Sequence, residues 1–301
     1  MKRQSQTRRV VVAFFRAPSG WIAIVSVGIL VVLAIVAPIV LGRDANQSNF
    51  ADPSAGASSA HLLGTDQLGR DVLARMLVAT RLSLELGTAA AALAFGLGVP
   101  LGAIVALLGH RARDAGRALI NIFLSFPSLL LALIIVTIVG IGTNGAVIAV
   151  GIGSAPYFAR LTESLASAAV GREYVASARV IGIKPRRLVF RYILPNVAEP
   201  IVIMGITYIA GAIIDVSALS FLGVGVQPPA YDWGALLNAG LQNFYPDPAG
   251  ALGPAVMIAI TALAVNFLAE GLARALNPAL WTAAKELRPG ALRPRKLARQ
   301  Q

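Results

Sequence analysis

Residues 171–196 read GREYVASARVIGIKPRRLVFRYILPN, a mixture of cations and large apolar side chains that neither a solvated loop nor a membrane helix requires. From Glu173 the small residues Ala176, Ser177 and Ala178 read as one short helix. Gly182 breaks it, Lys184-Pro185 opens a second, and Pro195 is expected to stop that one. Basic residues alone would be the ordinary cytoplasmic flank of a membrane helix. Val180, Ile181, Ile183, Leu188, Val189 and Phe190, however, are too apolar to face water, and the low relief at 176–178 lets a second surface come close. The stretch therefore reads as a cytoplasmic helix-turn-helix that docks into a partner's groove.

The rest of the chain places that loop beside a bilayer. Of its 301 residues 56% are hydrophobic and only 13% charged, with a mean hydropathy of +0.72, which lies outside the composition of soluble domains. Spanning ~30 Å of hydrocarbon takes roughly 20 apolar helical residues. Runs of that kind fall near 21–41, 82–108, 118–139, 145–158, 197–222 and 251–276, so an all-α polytopic membrane protein with six transmembrane helices is expected. Lys and Arg collect before the first run, at Arg111, Arg113 and Arg117, through the 160–191 stretch and in the tail. The alternate loops hold only Arg43, Arg70, Arg75 and Arg81. That bias puts both termini in the cytoplasm. The first run is too long for a cleavable secretory core, and Arg8-Arg9 reads as its positive flank rather than as an export signal.

Catalysis has little to work with. The formal charge of +12 is spread over loops rather than gathered into a nucleic-acid patch, and without cysteine there is no disulfide framework, thiolate metal site or thiol nucleophile. His61 and His110, the two histidines, have no Ser or Asp partner evident in the sequence, so no catalytic residue and no metal site is expected. Gly140-Ile-Gly-Thr-Asn-Gly145 matches a dinucleotide fingerprint, but it joins two apolar runs and reads as a tight outer hairpin. No phosphate-cradling P-loop occurs, so any ATP that drives this chain binds elsewhere.

Charges within the apolar runs are few. Glu85 falls near the outer start of the second run, Glu270 near the inner end of the sixth, and Asp215 near the outer boundary of the fifth, which argues against a proton relay. A path for a cargo rich in hydrogen-bonding groups would be lined by Thr137, Thr207, Tyr208, Ser217 and Asn266. For each of these taken singly, interhelical packing is favoured over cargo contact. Asp215 has two readings as well, a hydrogen-bond acceptor across a helix interface, which its depth favours, or a group that meets the ammonium of a cargo. Gly98-Val-Pro-Leu-Gly102 allows close helix approach, and Pro100 and Pro127 permit bends.

Glu173-Tyr-Val-Ala-Ser-Ala178, then Gly182, then Leu194-Pro195 resembles the EAA loop of ABC importer permeases. His61-Leu-Leu-Gly-Thr-Asp-Gln-Leu-Gly-Arg-Asp71, Ser125-Phe-Pro-Ser-Leu-Leu130 and Leu219-Ser-Phe-Leu-Gly-Val-Gly-Val-Gln-Pro-Pro229 with Trp233-Gly234 are similar to further segments of the second permease of dipeptide, oligopeptide and nickel importers. Ser177 stands where alanine is usual there, and Asp215 lies in a stretch that commonly carries glutamate. The resemblance covers roughly residues 60–280 and implies the ABC importer permease fold; the charge and apolar runs add a basic N-terminus over 1–20, a first transmembrane helix over 21–41 and an outer loop over 42–81. A permease core over 82–280 carries the coupling loop 171–196, and the cytoplasmic tail 281–301 is expected to be disordered. It implies coupling to ATPases through Glu173, Ala176, Ser177, Ala178, Arg179, Gly182, Lys184, Arg186, Leu194 and Pro195. Contact with an external solute-binding protein would fall at Gln227, Pro228, Pro229, Tyr231 and Trp233, although outer aromatic residues also serve as membrane-belt anchors. The implied cofactors are none on this chain, with ATP and Mg on partner subunits. The implied partners are a homologous second permease forming a heterodimer, two ATPase subunits or one heterodimer of them, the solute-binding protein and the lipid bilayer, in a bacterial or archaeal plasma membrane, with peptides as cargo. The alternative is an ion-coupled secondary transporter of small solutes, which would need ionisable groups or broken helices around a midplane ion site.

Overall fold

The structure is a computed structural model that describes residues 18–245 and 248–276 together with Val12, Phe14 and Phe15. The tail expected over 281–301 lies outside the described residues, as does most of the basic N-terminus. Along the chain come α1 (Pro18–Val40), α2 (Gly42–Asn46), α3 (Val72–Leu107), α4 (His110–Leu124), α5 (Ser128–Val139) and α6 (Thr143–Val170). After these come α7 (Glu173–Val180), α8 (Pro185–Leu188), a π turn at Val189–Ile193, α9 (Leu194–Phe221), α10 (Trp233–Gln242) and α11 (Ala249–Leu276). Among the described residues no strand forms beyond one isolated bridge between Thr65 and Asp71.

Four of these helices are long and apolar enough to cross a membrane, and the bent pair α4–α5 makes a fifth candidate. Three expected spans come out differently. The second begins at Val72, ten residues before the apolar run, because the Asp71 carboxylate accepts a hydrogen bond from the Ala74 N–H at 2.7 Å and caps the helix ahead of Arg75 and Arg81. The third is not continuous: α4 and α5 meet at 90° around Ser125-Phe126-Pro127, where proline offers no N–H and disfavours helix in the residue before it. Helix α5 alone covers only ~18 Å, while α4, with its cations on one side and Leu119, Ile122 and Phe123 exposed on the other, has the pattern of an interfacial helix. The fourth, α6, runs 28 residues, past Arg160 and Glu163, instead of stopping at Phe158, and with those charges it is not among the helices apolar enough to cross, so four or five of the six expected spans are found among the described residues.

Helix α3 is the central strut, packed against α1, α6, α9 and α4. Its closest neighbour is α6. A Cβ placed on Gly98 would lie 2.3 Å from the Ala155 carbonyl oxygen, and one on Gly102 would lie 2.2 Å from that of Ala159, so the two backbones touch because the side chains are missing. Helix α3 runs on through Pro100 without interruption; the bend sits at Pro127. Around the strut, Leu86, Ala90, Val136, Ala149, Val216 and Leu219 form one buried cluster, and Val99, Phe158, Ala166, Val197 and Ile201 form another nearer the 171–196 loop. Outward-facing Val25, Val32, Ile35 and Ile39 on α1 and Ile134 and Ile138 on α5 give the bundle an apolar exterior suited to lipid.

Because the atoms a Cβ would strike are backbone, Gly102→Val is expected to destabilise the bundle by about 3 kcal/mol or more. Gly96→Ala, whose Cβ would meet nothing within 4 Å, should leave thermal unfolding in detergent unchanged.

Candidate functional site

The 171–196 loop divides its apolar residues between two sides. Val175, Ala178, Leu188 and Ile193 are buried, packed with Ala166 and Ala169 at the end of α6 and with Val197 and Ile201 at the start of α9, and Val189 is buried as well. Val180 and Ile181 are 87% and 75% exposed at the tip. Glu173, Ser177, Lys184, Arg187 and Arg191 are also on the open side. The side chains of Ala176, Arg179 and Arg186 lie outside the described residues. A fixed inner face and an apolar, cationic outer face are what a docking element needs.

The turn between α7 and α8 is closed by glycine. Gly182 has φ +77°, and the Ile183 N–H donates to the Ala178 carbonyl at 3.2 Å across it, the 6→1 bond of a Schellman cap. A side chain at 182 would strain that left-handed backbone. Pro195 does not stop the second helix as its sequence implies. The chain passes through the π turn at 189–193 straight into α9, with Pro195 at the junction, where the wider π turn rather than a regular α turn precedes it. Leu194 is half-buried against the loop's apolar cluster. Loop and α9 are therefore one continuous piece.

Beside the loop lies a group that reading the sequence alone misses. Glu163, fully buried in α6, takes hydrogen bonds from Arg117 Nε at 2.7 Å, Ser167 Oγ at 2.8 Å and Arg160 Nη1 at 3.3 Å. Arg117 comes from α4, so the clasp ties the interfacial helix to the helix that leads into α7. Burying a carboxylate costs several kcal/mol, offset here by three donors and two cations. The signal that could have found it is the spacing Arg160, Glu163, Ser167, which stacks all three on one face of a helix that continues past Phe158.

Two of the other charges in the helices are paired as well. Glu85 lies 13 residues into α3 rather than at its start and pairs with Arg81 at 2.8 Å, and Glu270 pairs with Arg274. Asp215 is half-buried; its Oδ2 lies 3.5 Å from the Tyr208 hydroxyl, which also meets Ser154 of α6. Tyr208 stacks on Tyr157. Thr207, half-buried, turns its hydroxyl to its own helix, donating to Ile203 O at 3.0 Å, and Asn266 is exposed on α11 with no hydrogen bond to these residues. Tyr208 and Asp215 thus come together, and Asn266 does not join them.

At the opposite end of the bundle, Gln227, Pro228 and Pro229 are exposed, as an interface would require. Trp233 is not: it has 0% exposure, donates its indole N–H to Met76 O at 3.1 Å and its backbone N–H to Ser83 Oγ at 3.0 Å, so it fixes α10 to α3 and offers no surface to a partner. Tyr231 lies under the Arg75 guanidinium, 4.0 Å from ring centre, and that cation is itself 3.6 Å from Asp66. This makes Tyr231 part of the outer loop's packing rather than a belt anchor. His61 does have an acidic partner, Asp71 at 2.8 Å, and His110 lies 3.5 Å from Asp114, but Asp71 is occupied as a helix cap. Asp232 caps α10 by accepting from the Ala235 N–H at 2.8 Å, and its burial pushes the carboxyl up to about 6.

Comparison with known proteins agrees with this arrangement. Residues 98–282 match the family described as binding-protein-dependent transport system inner membrane component. The chain is 37% identical to a di/tripeptide transport system permease protein of Pseudomonas aeruginosa over 85% of its own length and 86% of the relative's. It is 36% identical to a glutathione transport system permease protein of Pectobacterium atrosepticum, covering 84% of each. It is 34% identical to a dipeptide transport system permease protein of Alkalihalophilus pseudofirmus, covering 88% of each. Its fold is similar to a chain of the MetNI methionine ABC transporter in an inward-facing conformation, with TM-score 0.56 and 20% identity over 68% of this chain and 96% of that one.

The clasp and the cap each lead to an expected outcome. Glu163→Ala should lower stability by about 1.5–3 kcal/mol in thermal unfolding, because the two arginines it leaves behind are partly exposed, and Glu163→Gln by less. Since the Asp232 carboxyl is raised when folded, its contribution to stability is complete below about pH 4 and lost as the pH rises through about 6. Asp232→Asn keeps the cap and should flatten that slope, read as hydrogen exchange of α10 against pH.

Proposed function

The chain belongs to the family of binding-protein-dependent transport system inner membrane components, and from that premise we propose that it is the permease subunit of an ATP-driven importer of di- or oligopeptides, forming half of the translocation pathway. The observation that carries the coupling role is the two-sided loop. Its buried side is fastened to α6 and α9, and its exposed side presents Val180, Ile181, Glu173 and Lys184 to a partner. Peptide cargo is supported by the relatives that are named as di/tripeptide and dipeptide permeases.

In this reading the chain is a transport subunit and not an enzyme. ATP and Mg are held by two ATPase subunits, or one heterodimer of them, on the cytoplasmic side. A homologous second permease completes the pathway, and an external solute-binding protein delivers cargo at the end of the bundle that carries Gln227, Pro228 and Pro229. The chain is multi-pass in the bacterial or archaeal plasma membrane, and the Lys and Arg distribution supports cytoplasmic termini. When the ATPases close, the docked loop is dragged with them. Because α7 is joined to α6 and the π turn to α9, the two helices follow as a rigid body and switch the pathway between inward-facing and outward-facing states.

The test separates coupling from folding. Glu173→Ala removes an exposed carboxylate at the start of α7, where it is favourable with the helix dipole and open to a cation of the partner. Gly182→Val strains the turn. Both variants should insert into membranes in normal amounts and co-purify the second permease, yet lose cargo-stimulated ATPase activity by about tenfold or more, the scale of a lost charge-assisted contact. Normal transport by both would sink the proposal.

A further inference from the structure

Asp215 has no cation of its own. The carboxylates in α3, α6 and α11 are matched by arginine, Glu85 by Arg81, Glu163 by Arg117 and Arg160, and Glu270 by Arg274. Glu199, the other carboxylate of α9, sits in its second turn beside the basic loop. Asp215 has no Lys, Arg or His within 4 Å among the described residues, and its hydrogen-bond partner there is the Tyr208 hydroxyl at 3.5 Å. The interface role would have it accepting from a neighbouring helix. Instead the link across to α6 is made by Tyr208 through Ser154, and the carboxylate itself stays on the half-open side of α9.

What surrounds Asp215 suits an incoming cation. The Tyr157 ring, 40% exposed, stacks on Tyr208 with centroids 6.2 Å apart and planes 29° from parallel, so an aromatic surface lies next to the phenol that reaches the carboxylate. Phe158 meets both rings edge-on, Tyr208 at 5.2 Å and Tyr157 at 5.6 Å, so the three aromatic rings form one packed cluster. Aromatic faces attract cations electrostatically, and a carboxylate beside them supplies the full charge. Gly211 and Ala218, which share the face of Asp215 on α9, are half-buried like Asp215 itself, so this face is only partly covered by the chain's own helices. The carboxylate lies six residues, ~9 Å, inside the outer end of α9.

We propose that Asp215, oriented by Tyr208 and flanked by the Tyr157 ring, forms the subsite on the outer half of the pathway that receives the protonated amino group of a peptide cargo. The proposal rests on the permease function and adds the chemistry of one point along the path. Ser154 acts as a positioning residue by holding the Tyr208 hydroxyl, which lies 3.5 Å from the carboxylate.

The experiment is uptake of the dipeptide alanyl-phenylalanine by the complete transporter in proteoliposomes, with loaded binding protein outside and ATP inside, for a charge series at position 215. Asp215→Glu should transport. Asp215→Asn, which keeps shape and hydrogen bonding, should lose about tenfold or more in uptake rate at limiting cargo, and Asp215→Lys should lose more than Asn. Co-purification of the ATPases with each variant reports assembly. A structural acceptor would tolerate asparagine, so Asn uptake within twofold of wild type, or equal losses in Glu and Asn, overturns the subsite while leaving the permease function standing. Absence of ATP-dependent uptake by the wild-type complex overturns both.

Discussion

The close approach of α3 and α6 is the constraint on which the other parts depend. Gly98 and Gly102 let the two backbones meet at the Ala155 and Ala159 carbonyls, and just beyond the second contact α6 carries the buried Glu163. A carboxylate in that position has no water, so it dictates what must surround it: Arg117 from α4, Arg160 one turn before it and Ser167 one turn after it. Small residues and a satisfied charge thus join three helices at the end of the bundle that bears the loop. Nothing comparable among the described residues holds α5, which is short, packs mainly on α6 and exposes Ile134 and Ile138.

The loop inherits its stiffness from that junction. Val175, Ala178, Leu188 and Ile193 continue the apolar surface of α6 and α9, so a force applied at Val180 and Ile181 passes to helices rather than to slack chain. Gly182 supplies the only positive φ between residues 171 and 196, and the Schellman bond over it closes the corner. At the far end, Trp233 and Ser83 fasten α10 to α3, so both ends of the bundle refer back to the same strut.

Much of this is legible in the sequence. Periodic apolar runs and the Lys and Arg bias mark a polytopic helical protein, and the mixed character of 171–196 marks the docking loop together with its break at Gly182. The features that the sequence hides share a cause: a charge looks like the end of a membrane helix. Arg160 reads as loop and so cuts α6 short, concealing Glu163, and Arg75 and Arg81 push the expected start of α3 ten residues late. In three dimensions those charges are neutralised by partners, some of them distant in sequence, 46 residues away for Arg117 and Glu163. Pro127 permits a bend, but the 90° size of that bend depends on α4 lying flat, which only tertiary packing decides. Trp233 looks like surface because tryptophan favours membrane boundaries, whereas a cavity at α3 and α11 takes it in whole.

If closure of the ATPases reaches α6 and α9 through the loop, then α4, clasped to α6 by Arg117 and Glu163, must keep its distance from the loop while the assembly switches. The chain contains no cysteine, so spin labels can be attached at Ser177→Cys and Arg111→Cys, both exposed, without removing any native thiol. Pulsed electron-electron resonance on the complete transporter then reads the distance between the loop and α4 without nucleotide and with ATP bound. A second pair, Ser177→Cys in the two permease subunits or its equivalent in the partner, confirms that the assembly has switched. The account predicts that the 111–177 distance stays constant while the intersubunit distance changes. A 111–177 distance that shifts by several ångströms with nucleotide would contradict it.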